Sequence, residues 1–160
     1  MIATIEATTN TNTTSPSSDR LTWAFHSGFA AYVERLADGR VDVSGGVERL
    51  ADGRFRFPFD AAGDQTGAGA LHWTGHHGLL AVTLADPAVE HTASGPVLTV
   101  ADSFSPGSRM VLAELGAATR TETGLRYEKP ILTEAGADLF MGHYQEGLVL
   151  APLEIEKVTR

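Results

Sequence analysis

The chain has 160 residues, 42% apolar and 20% charged, which is enough for one domain with a sizeable core. Its 20 acidic against 12 basic side chains give a formal charge of −8, which argues against nucleic acid or an anionic membrane as the main partner. Zero cysteines exclude disulfides, thiolate metal sites and a cysteine nucleophile, and no apolar run is long enough to predict membrane insertion. Residues 1–20 read as a Thr/Ser/Asn-rich flexible tail, and residues 21–156 as a single folded domain. The tail lacks a basic n-region and a long apolar stretch. The chain as it stands therefore reads as cytoplasmic, unless a signal has been removed.

Asp19 is placed to cap a helix whose apolar positions Leu21, Phe25, Phe29, Tyr32, Val33 and Leu36 recur every three or four residues. Tyr32 falls inside that stripe, and Gly28 lies one turn before it, leaving space beside the phenol at about 1 kcal/mol of helix propensity. By the same phase Trp23 points away, toward another layer. Gly39 is a plausible C′ stop. From Arg40 the period changes to two: Val41 and Val43 alternate with polar residues, Gly45-Gly46 turns, residues 47–50 follow, and Asp52-Gly53 turns into Phe55, Phe57 and Phe59. Pro58 marks an edge strand or a strand end.

The octapeptide at residues 33–40 recurs at 47–54. Only the first copy continues a helical stripe, so residues 33–37 are expected to be helical and 47–50 extended, context overriding identical propensity. Residues 63–69 read as a loop. Strands are expected at 70–73, 79–84, 89–92 and 97–100, with 110–115 either strand or short helix. Residues 119–129 read as a charged connector in which Tyr127 carries little signal. A short helix capped by Thr133 runs to Phe140, with His143-Tyr144 in the turn after it. Many short strands with one good helix predict an α+β, mainly antiparallel, sandwich-like architecture.

The most informative stretch is Thr74-Gly75-His76-His77-Gly78-Leu79-Leu80. Two imidazoles between glycines suit a tight bend or a bulky ligand, and doubling them beside a β-rich core is wasteful without a partner, for which Tyr32 is the candidate. His72, His76 and His77 fall short of a zinc site, since no H-E-x-x-H helix or other ligand scaffold accompanies them. No nucleophile elbow, P-loop or Rossmann glycine pattern is present. His26 and His91 read as surface residues. Taken alone, Tyr32 is a core tyrosine seeking a hydrogen bond.

Further pieces stand in order. They are Leu21-Thr22-Trp23, Phe29-Ala30-Ala31-Tyr32-Val33-Glu34, Val43-Ser44-Gly45-Gly46, Phe55-Arg56-Phe57-Pro58, the His-His stretch with Leu84-Ala85-Asp86-Pro87, and Leu132-Thr133-Glu134-Ala135-Gly136 with Tyr144, Gly147 and Pro152-Leu153. Together they resemble the HtaA domain, the haem-binding module of actinobacterial haem-uptake proteins. The resemblance implies Tyr32 as axial iron ligand, His76 of the Gly-His-x-Gly turn bonded to its phenol, His77 at the variable position, and Tyr144 beside the haem propionates. The family's small hydroxyl residue one turn before the ligand falls at Gly28, where this chain departs. The family is generally exported or surface-anchored.

The chemistry agrees. Tyrosine ionises near ~10, and both ferric iron and a histidine bond favour the phenolate, a hard donor for ferric haem b. Phe25, Phe29 and Leu36 with Trp73, Leu79 and Leu80 are expected to wall an apolar slot for the porphyrin. The expected role is capture, storage or transfer of haem, without catalysis, with a haem donor or acceptor protein and a homodimer as further partners. Two other readings stay open: a haem-dependent peroxidase-like or haem-degrading enzyme, which needs an acid–base group and an open distal side, and a haem-free β-sandwich interaction module.

Overall fold

The computed structural model describes residues 19–157. Mostly antiparallel strands form three sheets, with two short helices between them. The first sheet is built on β1 (Arg20–Trp23), which pairs on one side with β4 (Phe55–Pro58) and on the other with β13 (Leu153–Glu156). Two-residue β3 (Glu48–Arg49) extends it beyond β4, and the hairpin of β10 (Ala118–Arg120) and β11 (Gly124–Tyr127) extends it beyond β13. The second sheet joins β2 (Arg40–Ser44), β5 (Ala70–Gly75) and β6 (Leu80–Ala85). The third orders β12 (Ile131–Leu132), β9 (Arg109–Glu114), β8 (Gly95–Ala101) and β7 (Ala88–Thr92).

The start of the chain departs from the helical expectation. Leu21 and Phe25 do recur with the later apolar positions, but residues 20–23 are a strand flanked by partners on both edges. Those ladders satisfy its backbone groups, and Leu21, Thr22 and Trp23 are buried. Asp19 caps no helix; its carboxylate accepts from the Ala61 amide at 3.0 Å and its carbonyl from the Phe59 amide. Asp19 and Arg20 are thus held in the fold, and the other residues of the expected tail lie outside the described ones. Trp23 donates from Nε1 to the Ala151 carbonyl at 2.7 Å. Phe25 then takes a left-handed φ of 59°, turning the chain into α1 (Ser27–Arg35), with His26 at the N-cap.

The true helical stripe is Phe29, Val33 and Leu36, with Phe29 and Val33 fully buried. Tyr32 sits beside the stripe rather than within it, 36% exposed. The helix ends at Leu36, whose backbone is extended. Gly39 is not a left-handed C′ residue. It is needed for space, because a Cβ there would lie 1.8 Å from the Val33 carbonyl oxygen. The repeated octapeptide takes two conformations: residues 33–35 are helical, whereas 48–49 form β3. β4 is an interior strand and Pro58 ends it.

Residues 109–114 resolve as strand, and the expected connector at 119–129 contains a hairpin instead. That hairpin is added through β11, which pairs with β13 and buries Tyr127. Its alternating Leu125 and Tyr127 were masked by the surrounding charges. The second helix, α2 (Glu134–Leu139), is capped as expected, with the Gly136 amide donating to Thr133 Oγ1 at 3.0 Å. Thr133 Oγ1 also reaches the Val111 carbonyl at 2.5 Å, so the cap fastens α2 to β9. Gly136 permits close docking, as a Cβ there would meet the Leu112 carbonyl at 2.4 Å.

The core between these layers is centred on Phe25, Phe29, Trp73 and Phe140, all nearly sealed from solvent. Phe25 and Phe140 stack at 3.9 Å between centroids and 10° between planes, and Phe29 meets Trp73 edge-on at 5.2 Å. Among the described residues, no helix is long and apolar enough to cross a membrane.

Candidate functional site

The His-His bend is built from both sides. β2 and β5 pair with Arg40 opposite Thr74, a register that carries Asp38, two residues earlier, to the end of β5. There its carboxylate accepts the backbone amides of His76 at 3.1 Å and His77 at 2.6 Å. These bonds, from His77 first and His76 after it, hold the Asp38 carboxyl below its ordinary range, with the His77 charge adding to them. They also stabilise an unusual backbone, since His76 and His77 both have left-handed φ, 48° and 55°, within the 3-10 turn His76–Gly78. The adjacent histidines therefore do not alternate as on a strand. Their side chains separate all the same: His77 is 97% exposed with Asp38 at 3.8 Å, and His76 turns to α1.

Gly75 brings α1 close. A Cβ at that position would come within 2.5 Å of Leu36, so the bare glycine lets Leu36 pack on the end of β5. One helical turn earlier, at i−4, Tyr32 then stands over His76. A hydrogen bond of 2.5 Å joins Tyr32 Oη and His76 Nε2. In the imidazole tautomer that carries its proton on Nδ1, Nε2 accepts the O–H of the neutral phenol. Once the phenol is ionised, a protonated Nε2 donates to the oxygen. The pair is thus a phenol with its proton acceptor in place, on an accessible face.

His143, which the sequence places only in a turn, is the third member. Its ring lies 5.8 Å from that of Tyr32, and the His76 ring lies 5.9 Å away. Two imidazoles thus neighbour one phenol. Phe140 anchors this turn in the core, and Met141 bends it with a φ of 58°. The signal for His143 was weak because nothing in its spacing links it to residue 32. Tyr144, next along, is partly buried, which raises its phenol pKa, and its ring lies 4.9 Å from His26. His26 is an N-cap residue packed on Gly28 and Tyr144, not an isolated surface group.

Of six non-glycine residues with left-handed φ among those described, four (Phe25, His76, His77 and Met141) lie in the segments that frame Tyr32. Such conformations cost roughly 1–3 kcal/mol each and collect at functional sites. The apolar slot differs from expectation. Phe25, Phe29, Trp73 and Leu80 face the protein core and are 0–1% exposed, because they fill the space between the sheets. The exposed apolar groups in the flanking segments are Leu79, at 77%, and Met141, at 50%. Gly28 is exposed and bare. His72 is occupied across the sheet, Nδ1 lying 2.6 Å from Thr83 Oγ1, and His91 Nε2 lies 3.1 Å from Gln65 Oε1. Among the described residues, no cluster of three or more His, Cys, Asp or Glu is arranged around a metal-sized gap.

The HtaA family model (Htaa) matches residues 18–156. The chain belongs to the HtaA family. Three solved structures from Corynebacterium glutamicum share this HtaA fold. The C-terminal domain of HtaA is 19% identical with a TM-score of 0.62, over 86% of this chain and 93% of that one. The N-terminal domain of HtaA is 22% identical with a TM-score of 0.62, over 89% and 99%. The haem-binding protein HtaB is 20% identical with a TM-score of 0.61, over 86% and 90%. A domain-swapped dimer of a histidine-to-alanine variant of the HtaA C-terminal domain is also similar, at 20% identity and a TM-score of 0.51, over 81% and 90%. No curated protein matches the chain.

Proposed function

We propose that this HtaA domain binds one ferric haem b at Tyr32 and serves haem capture, storage or transfer. The observation that carries the reading is the exposed Tyr32 phenol on a hydrogen bond to His76 Nε2, at 2.5 Å, in a turn held by Asp38. The residues fit such a group. A phenol with an adjoining imidazole can shed its proton on meeting a Lewis acid, and exposed Leu79 and Met141 offer apolar contact to a porphyrin edge. When bound, ferric haem would supply an iron with affinity for a hard anionic oxygen. Tyr32 Oη would be that donor, and His76 would take the phenol proton and hold the oxygen by a charge-assisted bond. Tyr144 is proposed as a propionate contact, and Phe29 supports Tyr32 from the core rather than touching the ligand. Gly28 and His77 border the site. HtaB, of the same fold, is itself a haem-binding protein, and the family match supports extending that property here. A protein that donates or accepts haem completes the reading. A homodimer is supported by the domain-swapped dimer of the related variant.

Hemin titration followed by Soret absorption tests the proposal. The parent protein is expected to take up one equivalent with a ferric–tyrosinate spectrum. Tyr32→Phe keeps the ring but removes the donor atom, so that spectrum should vanish while the fold survives. The free protein loses only a solvent-accessible hydrogen bond of about 0.5–1.5 kcal/mol. His76→Ala should retain the tyrosinate spectrum at weaker affinity, and His77→Ala should resemble the parent. Equal affinity and an unchanged spectrum in Tyr32→Phe would falsify the assignment. Steady conversion of many haem equivalents to an open-chain product would overturn the carrier role.

A further inference from the structure

We propose that the His26 imidazole, paired with Tyr144, anchors a carboxylate of the ligand held at Tyr32. The inference rests on the haem reading above and supplies an acid-binding group that Gly28 cannot. Four observations carry it.

The first is the fit of the ring against the helix. An added Cβ at Gly28 would stand 3.0 Å from His26 Cε1 and 3.1 Å from Nδ1, so the imidazole occupies the side-chain space that glycine leaves. The second is that the ring nitrogens have no hydrogen-bond partner among the described residues. Nδ1 is buried without a hydrogen bond, and no described residue bonds to Nε2. A neutral ring with Nδ1 sealed from any acceptor favours the tautomer that carries the proton on Nε2, which makes that edge a donor.

The third is the neighbour. The Tyr144 ring lies 4.9 Å away, and its phenol makes no bond with the described residues. Burial keeps that phenol protonated, hence a second donor. The fourth is placement. His143 and Tyr144 are consecutive in one turn; the first ring meets Tyr32 and the second meets His26. The donor pair therefore sits one step along the same turn from the proposed iron-binding oxygen. Gly28 lies one turn, roughly 6 Å of helix rise, before Tyr32. Porphyrin carboxylates hang from the rim of the ring, away from the metal, and a group anchored beside Gly28 is displaced from Tyr32 in that sense. No acidic residue occupies the first turn of α1 to repel such a carboxylate.

Hemin and its dimethyl ester, which lacks free carboxylates, separate this role from iron binding. The parent is expected to prefer hemin over the ester by about tenfold, the effect of one partly solvated charge-assisted hydrogen bond. His26→Ala should lose that preference, weakening hemin about tenfold, leaving the ester unchanged and preserving the ferric–tyrosinate spectrum. His26→Gln, which restores an N–H donor, should recover most of the preference. So should the double variant His26→Ala/Gly28→Ser, in which the vacated space accepts a hydroxyl. If His26→Ala weakens hemin and ester equally, the ring is merely structural and the proposal fails. It fails too if His26→Ala retains the parent's preference, although the haem reading then stands. A parent protein that takes up neither compound overturns both.

Discussion

Phe140→Ala is the perturbation that bears most directly on how the core holds the site. Phe140 is fully buried, stacks on Phe25 at 3.9 Å, and meets Phe29 at 5.3 Å and Trp73 at 6.4 Å. Truncating a buried phenylalanine costs about 3–5 kcal/mol, of which the aromatic pairing accounts for roughly 0.5–1.5. The upper half of the range applies. The cavity would be lined by other aromatic rings already fixed by neighbouring sheets, which leaves little scope for collapse. Set against the ~5–15 kcal/mol stability usual for a domain, the loss is large. At about 2–4 °C per kcal/mol for a domain near this size, the melting temperature should fall by roughly 8–20 °C. Denaturant unfolding followed by tryptophan fluorescence is the assay, since Trp73 lies in the same cluster and Trp23 meets Phe25 at 5.5 Å. The turn carrying His143 and Tyr144 should loosen with the loss of its anchor, so ring contacts to Tyr32 and His26 should weaken even below the transition. A stability loss under about 1 kcal/mol would mean that Phe140 does not hold the cluster, and the reasoning would be wrong.

Two further outcomes follow from titrating groups. Asp38→Asn keeps the shape of the side chain but leaves one acceptor oxygen for two amides. Hydrogen exchange at His76 and His77 should quicken, and hemin affinity should drop without loss of the tyrosinate spectrum; unchanged exchange would refute the role given to Asp38. The Asp38 carboxyl is depressed below its ordinary 3.8, so its support of the turn is complete above that value and fades as pH falls through the folded one, which carbon NMR of the carboxyl can follow. At the alkaline end, burial raises the phenol pKa values of Tyr127 and Tyr144. Unfolded tyrosines ionise first, so stability should decline once pH passes ~10, and phenolate absorbance should lag behind that of free tyrosine. Normal titration of both phenols in the intact fold would contradict this.

Much of the architecture was legible because turn chemistry punctuates it. Asp52-Gly53, Gly45-Gly46 and the Thr133 cap each stand where the chain turns or a helix begins. The first strand was not legible, since Leu21 and Phe25 continue the helical spacing of Phe29 and Val33 by coincidence, and only pairing with β4 and β13 decides the matter. The β10–β11 hairpin was hidden by the charges around it, for the same reason. At the site, Tyr32 and His76 were visible through the pattern of glycines and the family resemblance, and the structure joins them. Asp38 and His143 were not visible, because their positions depend on sheet register and on a helix docked in the core. The apolar slot was misjudged because a stripe that faces the core is indistinguishable, in sequence, from one that faces a ligand.

The place of β1 between β4 and β13 has a consequence for how the domain comes into being. Among the described strands β13 is synthesised last, and both β1 and β11 take it as a neighbour. Until it arrives, β1 presents an open row of amides and carbonyls, and the β10–β11 hairpin has no sheet to join. Folding therefore waits on a contact that spans the domain, a topology that favours slow closure over milliseconds to seconds. During that interval the vacant edge of β1 accepts a matching strand from any source. In a crowded polysome the nearest source is the same strand of a neighbouring nascent copy, so translation rate and local concentration become determinants of whether the product closes on itself or exchanges ends with its sibling.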